Sequence, residues 1–448
     1  MSTPNQVTYT HLGSNRGKPR IWIEGAKLSM AGFKRHATYS VCDHADGVIV
    51  LKLDPQGLRS VAGRTRNEKD IPIIDLTMPW LADKYPENAK LRAVFEEGKI
   101  TISLHHEDAN KIEREERLKT NLNNGTVSEA TLCAGAGVST LALHQAAESV
   151  GVQSRVKWLV DMELKYLQVA GQNNYAIDDD TAFIVGKIEE VEPQFFTPID
   201  VLHVTMDCAG LSKAGTSKHQ LSSTEHEGAT AIFGLVSAIK NGNPAVVISE
   251  NVTEGFNSPL YQLLTLELNR LGYVVHHRLI SGEETPTLEH RNRYWLVAIS
   301  EGLNEGFEWR HFEFDKPYVT LDDVRDSEAS EDMWCENQYL KDKALTDKAA
   351  GKGFKRQLLT GDETKCGTIG RHYAKKRSTE PFFVRPDGKE RLFTPIEHCR
   401  VKLIPEGLVK GVSQTLAHQI LGQSVDFIQA LMVGMSVYTH LKLNIKTS

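Results

Sequence analysis

From Thr126 to about Glu301 the chain alternates short apolar runs with stretches of helical periodicity, and this alternation limits the architecture more than any other feature. The runs fall at 130–133, 156–160, 201–205, 245–249, 274–279 and 294–299. Strands that alternate with helices pair in parallel, because each crossover helix must pack back onto the sheet it has just left. The segment is predicted to be a doubly wound, Rossmann-like α/β sheet. Ligands of such sheets sit beyond the carboxyl ends of the strands.

The flanking regions read differently. Residues 1–18 are polar and lack the apolar run of a signal peptide. Residues 19–106 look like a duplicated small β module. A strand at RIWIEG, a helical turn near Leu28–Phe33 and a hairpin tipped by Asp46-Gly47 recur as IPIIDL, a turn near Trp80–Tyr85 and a hairpin tipped by Gly98. The two hairpin glycines are 51 residues apart (98 − 47). Such duplicated units resemble the swapped-hairpin AbrB-like and SymE-like modules, many of which bind nucleic acid, and the module is also a candidate for homodimer contacts. Residues 107–120 are charge-rich and helical in pattern, 121–125 break the pattern, and the whole of 107–125 reads as a solvated linker. Residues 126–302 form the expected catalytic core, 303–390 an irregular insert, and 391–448 C-terminal helices that return to the core.

Within the insert, 341–391 holds 14 Lys/Arg against 7 Asp/Glu, interleaved with Phe354, His372, Tyr373, Phe382 and Phe383. In a chain of net charge −6, this local excess points to phosphate contacts. The six cysteines form no CxxC pair and no regular spacing. That argues against a disulfide framework or a zinc site and for a reducing, cytoplasmic setting, with no metal expected. No run of about 18 apolar residues marks a membrane span.

Four segments carry residues suited to chemistry. In Thr131-Leu-Cys-Ala-Gly-Ala-Gly-Val138 a strand ends and a helix begins, and Gly135 and Gly137 permit a tight turn against a ligand. Asp161 closes the next strand, where a carboxylate can accept ribose hydroxyls. The run Asp200–Gly215 delivers Cys208 into a loop of small residues at the sheet's carboxyl edge, where an activatable thiol would sit. Val246–Val252 ends in Glu250-Asn251, and Arg291 and Arg293 alternate on an extended chain before another apolar run.

Taken in order, these segments resemble the DNA cytosine C5-methyltransferase family over about Thr126 to Gly434. LCAGAG matches its glycine-rich cofactor loop and Asp161 its acidic ribose ligand. Asp207-Cys208-Ala-Gly-Leu-Ser212 matches its nucleophile loop, Glu250-Asn251-Val252 its Glu-Asn-Val, and Glu289-x-Arg291-x-Arg293 its Gln-x-Arg-x-Arg. The C-terminal stretches from Arg391 and from Gly411 match its last two motifs, leaving 303–390 as the target-recognition region.

The resemblance implies an S-adenosylmethionine-dependent enzyme that flips a cytosine out of double-stranded DNA, with restriction–modification as one setting and RNA as a further possible substrate. It gives Cys208 the role of nucleophile at C6, Glu250 that of proton donor at N3, Arg293 the O2 edge, Arg291 support of that loop, and Asn251 a place beside the acid. The implied cofactor set is Cys133, Ala134, Gly135, Ala136, Gly137, Asp161, Met162, Lys187, Ile188, Gln423 and Ser424. Five positions depart from the family pattern. Asp207 replaces a proline, Cys133 an aromatic residue, Lys187 the adenine-side Asp, Gln423 an Asn, and Glu289 the Gln. Clustered at one pocket, these departures leave open a modified form of the cofactor, transfer of another group, or a catalytically silent DNA-binding protein.

Overall fold

The computed structural model describes residues 6–44, 47–206, 227–351 and 356–445. Asp46, Asp207, Cys208 and Phe354 lie outside the described residues. The chain divides into two units, 1–113 and 114–448.

The first unit holds two antiparallel sheets. One runs Gln6–His11, Lys90–Glu96, Lys99–Leu104, Ile49–Leu53, Thr38–Asp43, Arg59–Ser60; the other runs Gly13–Asn15, Lys18–Glu24, Lys69–Thr77, Ala62–Arg66. The 51-residue offset governs their register. Ile23 pairs with Ile74 (23 + 51) in one sheet and Val50 with Thr101 (50 + 51) in the other. The pair Gly13–Arg20 recurs as Arg64–Ile71, again shifted by 51. Two halves related in this way exchange strands across a local two-fold axis and bury one core, in which Ile21, Ile23, Ile74, Leu91 and Ile100 are fully enclosed. Residues 6–18 are strands of these sheets, not the expected polar tail. Backbone pairing along an edge needs little apolar side chain, so the polar sequence gave no sign of it.

In the second unit the strands are β1 (Thr126–Leu132), β2 (Gln153–Asp161), β3 (Ala182–Val185), β4 (Val201–Val204), β5 (Val246–Asn251), β6 (Tyr273–Ile280) and β7 (Arg293–Ser300). They form one sheet in the order β3-β2-β1-β4-β5-β7-β6, with only β7 antiparallel to its neighbours. Helices α1 (Val138–Ser149), α2 (Leu164–Asn173), α3 (Ala231–Gly242) and α4 (Pro259–Arg270) connect the strands. Strand β3 escaped the sequence reading because three of its four residues are exposed and it pairs on one side only. The strand order reverses between β1 and β4, which opens a crevice at their carboxyl ends.

The helix Phe427–Ile445 returns to α1, and an added Cβ on Gly434 would come within 2.6 Å of Ala146, so glycine sets how closely the two helices pack. The insert has its own small core of Leu321, Val324, Ile369, Tyr373, Phe382 and Phe383. Tyr373, Phe382 and Phe383 are thus packed inside and do not face a nucleic acid. The exposed cations Lys375, Lys376 and Arg377 remain on the surface of the insert. Among the described residues no single helix is long and apolar enough to cross a membrane.

The charge-rich stretch expected as a solvated linker is the helix His106–Asn123, and its second half is anchored. Arg114 is buried, donates to the Leu271 and Gly272 carbonyls at 2.9 and 3.0 Å and to Ser300 Oγ at 2.9 Å, and lies over the Tyr273 ring. Arg117 and Asn121 donate to Asp200. A buried guanidinium whose Nε and Nη2 are directed at core acceptors is a structural fastener, so Arg114→Ala should cost about 2–4 kcal/mol, read as a lowered Tm. An unchanged Tm would return the helix to the status of a tether.

Candidate active site

The glycine loop leaves β1 with unusual backbone at three alternate residues. Cys133, Gly135 and Gly137 all have positive φ, at 53°, 56° and 74°. Cys133 in this region costs on the order of 1 kcal/mol relative to glycine, strain that the loop holds at the cavity edge. Asp161 at the end of β2 fixes the loop: its Oδ2 accepts from the Gly135 N–H at 2.7 Å and its Oδ1 from the Glu163 N–H at 2.9 Å. Burial raises the Asp161 pKa, against those two N–H groups. Each oxygen keeps a lone pair for a further donor, so the carboxylate can also take a hydroxyl.

Asn251 at the end of β5 works through its side chain. Its Nδ2 donates to the Met206 carbonyl at 3.2 Å and to the Tyr261 hydroxyl at 3.3 Å, while its Oδ1 accepts from the Val252 N–H. It therefore fastens the exit of β4, two residues before Cys208. The neighbouring Glu250 is nearly enclosed, with Oε1 2.7 Å from Arg293 Nε. Arg291 is buried and faces inward, donating to the Ser424 carbonyl at 2.8 Å and lying 3.3 Å from Glu289 Oε1.

These groups line one cavity of about 710 Å³ at the carboxyl ends of the strands. Of the candidate residues named from sequence that are described, all but Gly137 border it: Cys133, Ala134, Gly135, Ala136, Asp161, Met162, Lys187, Ile188, Glu250, Asn251, Arg291, Arg293, Gln423 and Ser424. Gly137 lies behind the wall, where a Cβ would come within 2.5 Å of the Asn174 amide. The insert supplies residues that the sequence reading missed. Thr368, Gly370 and Arg371 border the same cavity, with Arg371 3.6 Å from Glu163 and over the Tyr166 ring. They lie more than 230 residues from the glycine loop (368 − 137 = 231), and nothing local marks them.

The model of the family described as C-5 cytosine-specific DNA methylase matches residues 127–433. This chain belongs to that family. The match covers the sheet, the insert and the C-terminal helices. Among curated proteins it is similar to the Type II methyltransferase M.SsoII of Shigella sonnei, 25% identical over 317 residues that span 68% of this chain and 78% of that protein. It is also similar to the Type II methyltransferase M.DsaV of Dactylococcopsis salina, 25% identical over 54% of this chain and 70% of the relative. Among solved structures, Dnmt2 of S. pombe superimposes with a TM-score of 0.54 over 71% of this chain and 99% of its own, and EhMeth of Entamoeba histolytica with 0.55 over 71% and 98%. At 15% and 14% identity these likenesses concern the fold alone. As a C5 methylase the chain is an S-adenosylmethionine-dependent enzyme that acts on DNA.

The cavity fits that cofactor. A Cβ on Gly135 would stand 3.4 Å from Gln423 Nε2, so the loop and the end of the helix Gln414–Gln423 face each other across a gap kept narrow by glycine. Four acidic residues (Asp161, Glu163, Glu189, Glu250) and four basic ones (Lys187, Arg291, Arg293, Arg371) border the cavity among the described residues. Lys187 therefore sits in a balanced wall.

Proposed function

We propose that this protein transfers a methyl group to C5 of a cytosine flipped out of double-stranded DNA, with Cys208 as the nucleophile, in the manner of a Type II modification methyltransferase. The observation that carries this reading is that Glu250, Arg291 and Arg293 share one cavity with the glycine loop and Asp161. S-adenosylmethionine supplies a methyl group on a positively charged sulfur. Asp161, Met162 and the loop Cys133–Gly137 would hold its nucleoside part, and Gln423 and Ser424 would face its amino-acid part.

Cytosine C5 is a poor nucleophile until a thiolate adds to C6. Cys208 makes that bond, and Glu250 delivers the proton to N3 that keeps the adduct neutral. Arg293 lies against Glu250 and would meet the O2 edge, while Arg291 holds the wall behind it. C5, now electron-rich, gains the methyl group. Loss of the C5 proton then releases Cys208. A base inside a duplex cannot reach this pocket, so flipping is required. The balanced charge of the wall favours the ordinary cofactor over one bearing an extra carboxylate. DNA containing 5-fluorocytosine tests the mechanism. It should trap a covalent complex that maps to Cys208, because fluorine cannot leave as the proton does, and failure to trap would remove the covalent route.

The insert should set the target. Neutralising Lys375, Lys376 and Arg377 should weaken DNA binding and lower the log–log salt slope by up to about one unit per lost phosphate contact. An unchanged slope would move the DNA interface elsewhere. The N-terminal unit adds DNA contacts in our reading. Its halves complete each other's sheets, so a second chain is not required to close them. Deleting residues 1–105 should lower DNA affinity and leave S-adenosylmethionine binding intact, and loss of both would refute this division.

A further inference from the structure

We propose that Glu289 and Lys402 form a buried ion pair that positions Arg291 and two segments of the cofactor wall, 368–371 and 421–424. The proposal rests on assigning the cavity to methyl transfer.

The pair is fully enclosed, with side chains 1% exposed on each side. Glu289 Oε1 accepts from the Ile369 N–H at 2.7 Å and lies 3.3 Å from Arg291 Nη1, while Oε2 lies 3.5 Å from Lys402 Nζ. Lys402 Nζ donates to the Leu421 carbonyl at 2.6 Å. Arg291 in turn donates to the Ser424 carbonyl, and its own carbonyl accepts from Gln429 at 2.7 Å. One carboxylate thus joins three stretches that are remote in sequence. They are the arginine segment, the insert beside Thr368, Gly370 and Arg371, and the end of the helix that carries Gln423.

The backbone is clasped at the same point. Leu288 and Glu289 donate to the Val401 carbonyl, and His290 donates to that of Cys366, which bridges Glu289 from the other side. Such a clasp fixes where the chain runs. It does not decide where the long Arg291 side chain points.

Charge explains why residue 289 departs from the family's glutamine. Two cations, Arg291 and Lys402, are buried here beside Glu289 and Asp426. A neutral residue at 289 would leave two positive charges facing one carboxylate in a medium that solvates neither. His398 and His418 add no further positive charge. Burial holds the His398 imidazole well below its ordinary pKa and lowers that of His418 to about 4, so both rings are neutral. Burial works against the Glu289 carboxylate as well, but Lys402, Arg291 and the Ile369 N–H outweigh it and keep its pKa low. Glu289 is therefore the required partner of Lys402, and the two form a unit. Neither touches the reacting atoms, so both are positioning residues.

The test is a double-mutant cycle on the full chain with Glu289→Gln, Lys402→Met and the pair together. It is read by Tm, by calorimetric Kd for S-adenosylmethionine, and by kcat and KM. Each single change strands a buried charge. It should lower Tm and weaken cofactor binding by about tenfold or more, with kcat falling alongside and KM for DNA nearly unchanged. The double change removes one charge of each sign and keeps an amide oxygen for Ile369, so it should recover Kd to within a few-fold of wild type. Additive losses in Tm would show that the two residues are not a pair. Coupling in Tm with an unchanged Kd in every variant would remove the positioning role. Neither result depends on whether the wild type makes methylcytosine, which is measured separately.

Discussion

Cys208→Ser should reduce methyl transfer by roughly 10⁴-fold or more, while cofactor binding and the fold stay close to wild type. The covalent step requires a group that is ionised to a useful degree near neutral pH and expelled again after transfer. A serine hydroxyl in the same loop is neither acidic enough nor given a strong base by any residue described at this cavity edge. The described strand exit is held by contacts of its own. Asn251 fastens Met206 from β5, and Thr205 Oγ1 donates to the Cys133 carbonyl at 3.1 Å, so the strand exit is held from both sides. The comparison should therefore separate chemistry from binding. Parallel measurement of turnover and of S-adenosylmethionine affinity checks it, and a serine variant with substantial turnover would overturn the nucleophile.

The second large effect is expected at Gly422, which the sequence does not single out. A Cβ there would lie 2.2 Å from the Gly370 carbonyl oxygen and 2.8 Å from the Arg371 nitrogen. Both obstacles are backbone, so no side chain can rotate away. Gly422→Ala must push the insert segment off the helix end that carries Gln423. Overpacking of this kind costs about 1–3 kcal/mol, and here the displaced atoms are the cavity wall, so cofactor affinity should fall roughly 10- to 100-fold. Titration calorimetry with S-adenosylmethionine reads this directly. An unchanged Kd would mean that the contact between 370 and 422 does not shape the site.

The parts of this molecule that were legible in the sequence are those with a local period. The buried strands β5 and β7 announce themselves as unbroken apolar runs, and the ends of β1, β2 and β5 carry their functional groups within a few residues. The 51-residue repeat was visible because two hairpins carry the same turn glycine, and the strand register obeys the same offset. What stayed hidden is long-range or made of backbone. Strand Gln6–His11 buries no side chain, its Val7 and Tyr9 lying exposed, and it exists through its pairing with Lys90–Glu96. Arg114 looks like any surface arginine until its three core acceptors are known. Tyr373, Phe382 and Phe383 read as aromatic partners of basic residues, and became core because the insert has to bury something of its own. Glu289 appeared as a defect in a motif, and only the approach of Lys402, 113 residues later (402 − 289), gives it a purpose.

The central claim is that this cavity and Cys208 together make 5-methylcytosine from S-adenosylmethionine. Mass spectrometry of nucleosides from DNA treated with the purified protein and S-adenosylmethionine tests it most directly, because the product is read without assuming the route. The account predicts 5-methyl-2′-deoxycytidine as the new nucleoside from wild type and its absence with Cys208→Ser. Unmodified cytosine from an enzyme that binds both DNA and cofactor, or a C5 substituent other than methyl, would contradict it.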